Sequence, residues 1–290
     1  MAITAADFTG KVTICDGAWG TELDKLGRPA GACCEEWNIS HPELVRQVAA
    51  AYVQAGAQII LTNTFGANRF ILARHRMEDR VREFNIAGVR LSREAAGGKA
   101  LVFASMGPSG KMILTGEVTA ESLYEAFSEQ AAALAEGGAD AIVVETMTEL
   151  AEAVAAVRAA RTTGLPVVGC MTFDSGREKT RTNMGVTPEQ AVDGLVAAGA
   201  DIVGCNCGLG IEHYVKVAAL MRAVTDKPIW VKANAGLPEI DGTRIVYRMT
   251  PEEFAGHSRA VVAAGANLIG GCCGTNPEFI RALAAAHSRS

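Results

Sequence analysis

No apolar run in this 290-residue chain is long and clean enough to span a bilayer. The longest small and apolar stretch, Ala260 to Gly274, is broken by Asn267 and rich in glycine. The N-terminus lacks a basic segment followed by an apolar one, so no secretory leader is expected and the cytoplasm is the expected compartment. No cluster of lysine and arginine marks a nucleic-acid surface, and a formal charge of −5 argues the same way. The five histidines, His41, His75, His213, His257 and His287, lie in helical or loop segments, which argues against a histidine metal site or general base. No linker, low-complexity tract or charge block divides the chain, so a single domain over residues 1–290 is expected.

What is present is apolar residues and cysteine. An apolar content of 49% supports a large buried core. Eight cysteines without a leader do not read as a disulfide framework. Neighbours such as Cys33-Cys34 and Cys272-Cys273 are awkward to bridge to each other.

One pattern recurs. Ala55-Gly-Ala57, Gly137-Gly-Ala139, Ala198-Gly-Ala200 and Ala264-Gly-Ala266 each follow an amphipathic stretch and precede one polar residue and an apolar run. The physical reading is a helix closed by a left-handed glycine, a polar step, then a buried parallel strand. The later copies recur at intervals of roughly 60 residues, the length of two βα units. Eight strand candidates result: Val12–Cys15, Gln58–Asn63, Leu101–Met106, Asp140–Glu145, Pro166–Thr172, Asp201–Cys207, Pro228–Asn234 and Asn267–Cys272. Helical periodicity fills the intervals, as in Leu44, Val48, Tyr52 and Leu123, Phe127, Leu134. Eight alternating units predict an α/β fold, a (β/α)8 TIM barrel, ahead of an open doubly wound sheet.

Active sites of this fold lie at the C-terminal strand ends. Those ends carry Asp16, Asn63, Gly107-Pro108, Glu145, Thr172, Asn206-Cys207, Asn234 and Cys272-Cys273. Three thiols from two strand ends, Cys207, Cys272 and Cys273, suit zinc with its fourth position open, the catalytic arrangement. Three thiolates make a poor Lewis acid for water but a good host for a fourth sulfur, which points to chemistry on a substrate thiol. The alternatives are inert buried thiols, or a closed site recruiting Cys205, which alternation puts on the side of Cys207. Cys15 is expected to face the helices. Asp16 and Glu145 could hold an ammonium group beside the metal. Asn63 and Asn234 could instead orient loops. The glycines around Cys272-Cys273 allow a phosphate reading, and Lys232 is the one lysine near a strand end that an aldolase would need.

These motifs resemble the homocysteine S-methyltransferase family, in particular the homocysteine-binding barrel of cobalamin-dependent methionine synthase and bacterial betaine–homocysteine methyltransferases. The resemblance rests on Asp16-Gly-Ala-Trp-Gly-Thr21, Leu61-Thr-Asn-Thr-Phe-Gly66, Met106-Gly-Pro-Ser-Gly110, Val144-Glu-Thr146, Met171-Thr-Phe-Asp174, Cys205-Asn-Cys-Gly208, Asn234-Ala-Gly236 and Gly270-Gly-Cys-Cys-Gly-Thr275. It runs from about residue 12 to residue 280. It implies a cytoplasmic enzyme of methionine biosynthesis, with zinc on Cys207, Cys272 and Cys273. It implies that Asp16 and Glu145 hold the homocysteine amino group, with backbone near Gly17 and Ala18 touching substrate and Asn234 among the substrate-binding residues. The expected donor is methylcobalamin on a separate corrinoid protein, since no residues remain for a cobalamin domain. Betaine or S-methylmethionine is the alternative, with Trp19 and Trp37 as aromatic surfaces for a cation. A non-catalytic zinc or thiol-redox module is the reading from another class.

Overall fold

A computed structural model describes residues 3–241 and 244–288. Eight parallel strands appear at the eight expected places: Thr13–Ile14, Ile59–Ile60, Leu101–Met106, Ala141–Met147, Val167–Met171, Ile202–Gly210, Ile229–Asn234 and Leu268–Gly271. The sheet runs in sequence order from the second strand to the seventh, then to the eighth and the first. A parallel bridge between Cys15 and Ile59 joins first to second and closes the barrel. Eight helices follow the strands on the outside: Pro42–Gln54, Val81–Ala96, Ala120–Gly137, Leu150–Arg161, Pro188–Ala198, Tyr214–Arg222, Pro251–Ala263 and Pro277–His287. A two-stranded antiparallel ribbon, Glu239–Asp241 with Arg244–Val246, rises after the seventh strand. Among the described residues no helix is long and apolar enough to cross a membrane.

The recurring motif has a structural explanation. Its glycines Gly56, Gly138, Gly199 and Gly265 all take positive φ, between 93° and 113°. The polar step that follows then turns inward to the sheet. Gln58, Asp140, Asp201 and Asn267 accept hydrogen bonds from the N–H groups of Ile14, Val102, Val167 and Ile229 on the neighbouring strand, at 2.8–3.0 Å. Each step thereby satisfies a backbone donor at the lower rim of the barrel.

Alternation along the strands splits the apolar residues into two cores. One fills the lumen: Ile59, Leu61, Phe103, Val143, Val168, Ile202, Trp230 and Leu268, with Phe8 beneath. Phe103 stacks on Trp230 at 6.0 Å between centroids, and Phe8 meets Phe103 edge-on. The larger core lies between strands and helices. Two expectations are corrected here. Cys15 packs with the lumen residues, not against the helices. Cys205 packs in the outer core. It does not share a side with Cys207, because Cys207 leaves the extended conformation with a φ of 64°, just before the pairing of the sixth strand with the seventh shifts.

Candidate active site

The upper lumen and its mouth form a cavity of about 350 Å³ that opens outward. Glu145, Ser105 and Lys232 line its floor. Gly17, Ala18, Trp19, Asn63, Phe65, Cys34 and Glu35 contribute the walls, and Cys207, Cys272 and Cys273 complete it.

The sulfurs of these three cysteines lie within 4.8 Å of one another. They form the one such potential metal-holding group among the described residues. Zn–S bonds near 2.3 Å in a tetrahedral shell place sulfurs about 3.8 Å apart, so the donor set fits zinc. Local backbone builds the cluster. Cys207 takes a left-handed conformation, φ 64°, uncommon for a residue with a side chain. Its turn is held from three directions. The Tyr214 hydroxyl donates to the carbonyls of Asn206 (2.9 Å) and Cys207 (3.1 Å). The Thr172 hydroxyl donates to Asn206 O (3.0 Å), and the Asn234 amide donates to Gly208 O (2.7 Å). The paired cysteines are tied to the seventh strand by Cys272 N–H to Ala233 O (2.6 Å) and by Ala235 N–H to Cys273 O (2.9 Å). The phenol of Tyr247, carried up by the ribbon, stands beside Cys273.

Without a cation the cluster resists ionisation. Contact with Cys272 pulls the Cys207 thiol down, but Cys273 and burial outweigh it and push the thiol up to about 12. Cys273 is likewise pulled down by Cys207, then pushed up to about 12 by Cys272 and burial. Cys272 lies higher still, chiefly through Cys207. A dication bound among them would favour the thiolates and displace these protons.

The acids divide sharply. Glu145 lines the cavity. One oxygen accepts from the Ser105 hydroxyl, and the other has only a 3.3 Å contact from the Asn206 amide. Burial pushes its carboxyl above the ordinary range, against the pull of Lys232 and Ser105. Asp16 is fully enclosed and stands behind the cavity wall. Its oxygens accept from Lys232 Nζ, the Trp19 indole (2.8 Å) and the Leu61 N–H (2.7 Å). Asn234 is also set back from the cavity, and its amide serves the Gly208 turn. Gly17 and Ala18 are on the wall, with Ala18 N–H on the Thr275 hydroxyl (3.2 Å).

Other expectations resolve in the same way. Cys205 lies outside the sulfur cluster, so no fourth cysteine closes it among the described residues. Trp37 is buried against His41 and does not reach the cavity, while Trp19 does. Lys232 does not present a free neutral amine. Burial opposes its charge, but Asp16, Glu145 and Cys15 more than offset this and raise its pKa. Ser105 and Tyr247 carry no sequence motif of their own, and the cysteine motifs that contain Asn206 and Thr275 do not reveal what those two residues bond. Lys232 was legible only as a lysine near a strand end.

A (β/α)8 barrel with three converging thiols and a carboxylate at its C-terminal mouth is the frame of an enzyme site whose sulfurs could hold a metal. The homocysteine S-methyltransferase family model matches residues 13–287, and the chain belongs to that family. It is 32% identical over 296 residues to the methionine synthase of Mycobacterium tuberculosis, covering 95% of this chain and 24% of that protein. The methionine synthase of Mycobacterium leprae is 31% identical over 299 residues, with 96% of this chain and 24% of the relative covered. The chain thus spans about a quarter of the length of these relatives. Its fold is similar to the metallated form of the homocysteine methyltransferase MmuM from Escherichia coli, with a TM-score of 0.80, 25% identity and 99% of both chains covered.

Proposed function

We propose that this barrel methylates the sulfur of homocysteine to give methionine, using zinc held by Cys207, Cys272 and Cys273. The observation that carries the reading is the meeting of three sulfurs within 4.8 Å beside a cavity whose floor bears Glu145. Bound there, zinc would act as a Lewis acid that keeps the acceptor thiol deprotonated at neutral pH. The rest falls to the chain. Glu145 receives the acceptor ammonium with its under-used oxygen. The Gly17–Ala18 strip lies along the acceptor's amino-acid end. The largely apolar walls limit water around the thiolate, which keeps its nucleophilicity and is oriented for in-line attack. A carbon–sulfur bond forms as the donor's bond to methyl breaks, and the donor leaves with that electron pair.

For the donor we favour a methylated corrinoid, in keeping with the similarity to methionine synthases. The second reading, a small cationic donor such as betaine or S-methylmethionine, is favoured by Trp19 and Phe65 on the cavity wall. Zinc X-ray absorption on anaerobically purified protein tests the acceptor half. Three sulfurs and one light atom should become four sulfurs on adding homocysteine. Four sulfurs without substrate would favour a structural or redox role, and absence of zinc would remove the proposal. Turnover with methylcobalamin, betaine and S-methylmethionine in parallel separates the donors.

A further inference from the structure

Three thiolates on a metal are nucleophiles themselves, and they line the same cavity as the acceptor. Any of them could take the methyl group in its place. A cysteine methylated in this way becomes a thioether, a poor ligand for zinc, and the site is lost. The three sulfurs differ in what surrounds them. The backbone N–H of Gly208 reaches Cys207. The phenol of Tyr247 reaches Cys273. The hydrogen-bond neighbours of Cys272 are the other two thiols, which have no proton left to share once a dication holds all three. Tyr247 is built into its place. It follows the second strand of the ribbon, Arg244–Val246, and is half-buried. Its side chain rests against Gly274, the residue after Cys273. A Cβ on Gly274 would collide with Cβ, Cγ and Cδ2 of Tyr247. The glycine that turns the chain after the paired cysteines, with φ 81°, is therefore also the seat of the ring.

We propose that Tyr247 protects Cys273 from methylation: its hydroxyl donates to the Cys273 sulfur and occupies a lone pair that would otherwise attack the methyl donor. This rests on the reading of the cluster as a zinc site for methyl transfer. The reaction held back is a single displacement. A lone pair of the Cys273 thiolate forms the new sulfur–carbon bond, the bond from the methyl carbon to its leaving group breaks, and the leaving group departs with that electron pair. A hydrogen bond to a charged sulfur is among the stronger ones, and it has to be given up before the lone pair attacks. It also lowers the basicity of the sulfur, and nucleophilicity falls with it. Tyr247 thus acts through Cys273, as a positioning residue of the sulfur cluster, and needs no contact with the acceptor.

The test treats zinc-loaded protein with methyl iodide in the absence of homocysteine. Peptide mass spectrometry follows the initial rate of methylation at each cysteine, so the readout is the site of the methyl group and not turnover. In the wild type Cys272 should be methylated faster than Cys273. Tyr247→Phe keeps the ring against Gly274 and removes the hydroxyl. It should raise the rate at Cys273 by about 10-fold, the worth of one hydrogen bond to a charged group. Cys207 and Cys272 in the same molecules should stay within about 2-fold of wild type, which reports that the site is still built. Tyr247→Ala should raise Cys273 at least as far. If Tyr247→Phe matches the wild type and only Tyr247→Ala exposes Cys273, the ring is a steric cap and the proposal is wrong. Cys273 methylated ahead of Cys272 in the wild type overturns it without any variant. A chain that takes up no zinc would instead sink the metal reading on which it rests.

Discussion

Asn206 and Thr146 lock the fourth strand to the sixth across the mouth of the barrel. The Asn206 side-chain carbonyl accepts from Thr146 N–H at 2.7 Å, and its amide donates to the Thr146 hydroxyl at 2.7 Å. Thr146 itself and Cys207, the residue after Asn206, both take left-handed backbone, φ 62° and 64°. One buried amide thus ties the left-handed residue next to Glu145 to the strand that carries Cys207, and adds to the bonds that hold the Cys207 turn.

Asn206→Ala should therefore act on both halves of the site. It leaves a half-buried N–H and hydroxyl of Thr146 without their partner, at a cost of about 1–3 kcal/mol in urea unfolding. Zinc affinity should fall about 10-fold or more, as expected when support behind a metal ligand is removed. Chelator competition measures this. Wild-type zinc affinity in a destabilised Asn206→Ala would show that Cys207 is held without the bridge.

Much of this was legible beforehand, and the reason is the βα repeat. The glycine and the polar step that end each helix are dictated by local backbone chemistry, so they located the strands and their upper ends. Cys207, Cys272 and Cys273 followed from those ends. What alternation could not give was the backbone where it stops being regular. Cys205 was expected beside Cys207 on a strand of period two, and the left-handed turn at Cys207 separates them. Lys232 was visible only as a lysine near a strand end. Its bond to Asp16 joins the seventh strand to the first, a contact 216 residues apart that no local pattern encodes.

The cysteine assignments separate cleanly by mutation. Cys207→Ser should lose zinc and methyl transfer together. Cys205→Ala should keep zinc at one ion per chain, because Cys205 lies fully buried in the outer core and outside the sulfur cluster. It should cost about 1–2 kcal/mol in stability through lost packing. Elemental analysis of the two purified variants decides. Zinc lost from Cys205→Ala, or retained in Cys207→Ser, would reverse the assignment.

The thiols also predict how metal and pH are linked. Cys207 and Cys273 rise from 9.0 to about 12 in the folded chain, and Cys272 rises as well. A raised pKa favours the protonated thiol in the folded state. In the zinc-free protein this contribution is complete below pH 9 and is lost as pH climbs from there toward 12. Zinc must displace all three protons at neutral pH, so its apparent affinity should steepen by up to about 1,000-fold per pH unit. Calorimetry in buffers of different ionisation enthalpy should count about three protons released per zinc. A count near zero would mean that the thiolates exist before the metal arrives.

Thr275 tests whether the paired-cysteine turn and the acceptor strip are one unit. Its hydroxyl, fully buried, donates to Cys272 O at 2.7 Å and accepts from Ala18 N–H at 3.2 Å. It thus sets the height of the Gly17–Ala18 strip against the sulfur cluster. Thr275→Val keeps the volume and removes both bonds, leaving a buried carbonyl short of one donor and a buried N–H without an acceptor. That should cost about 2–3 kcal/mol. Cys272 keeps its bond to Ala233 O and its thiol, so zinc content should remain at wild-type level. The loss should appear instead as weaker homocysteine binding, with KM raised about 10-fold and kcat changed less. Thr275→Ser supplies the same hydroxyl and should recover most of the KM. If Thr275→Val raised KM no more than it lowered kcat, or if serine failed to rescue, the hydroxyl would be packing the turn and the strip would be set by other contacts.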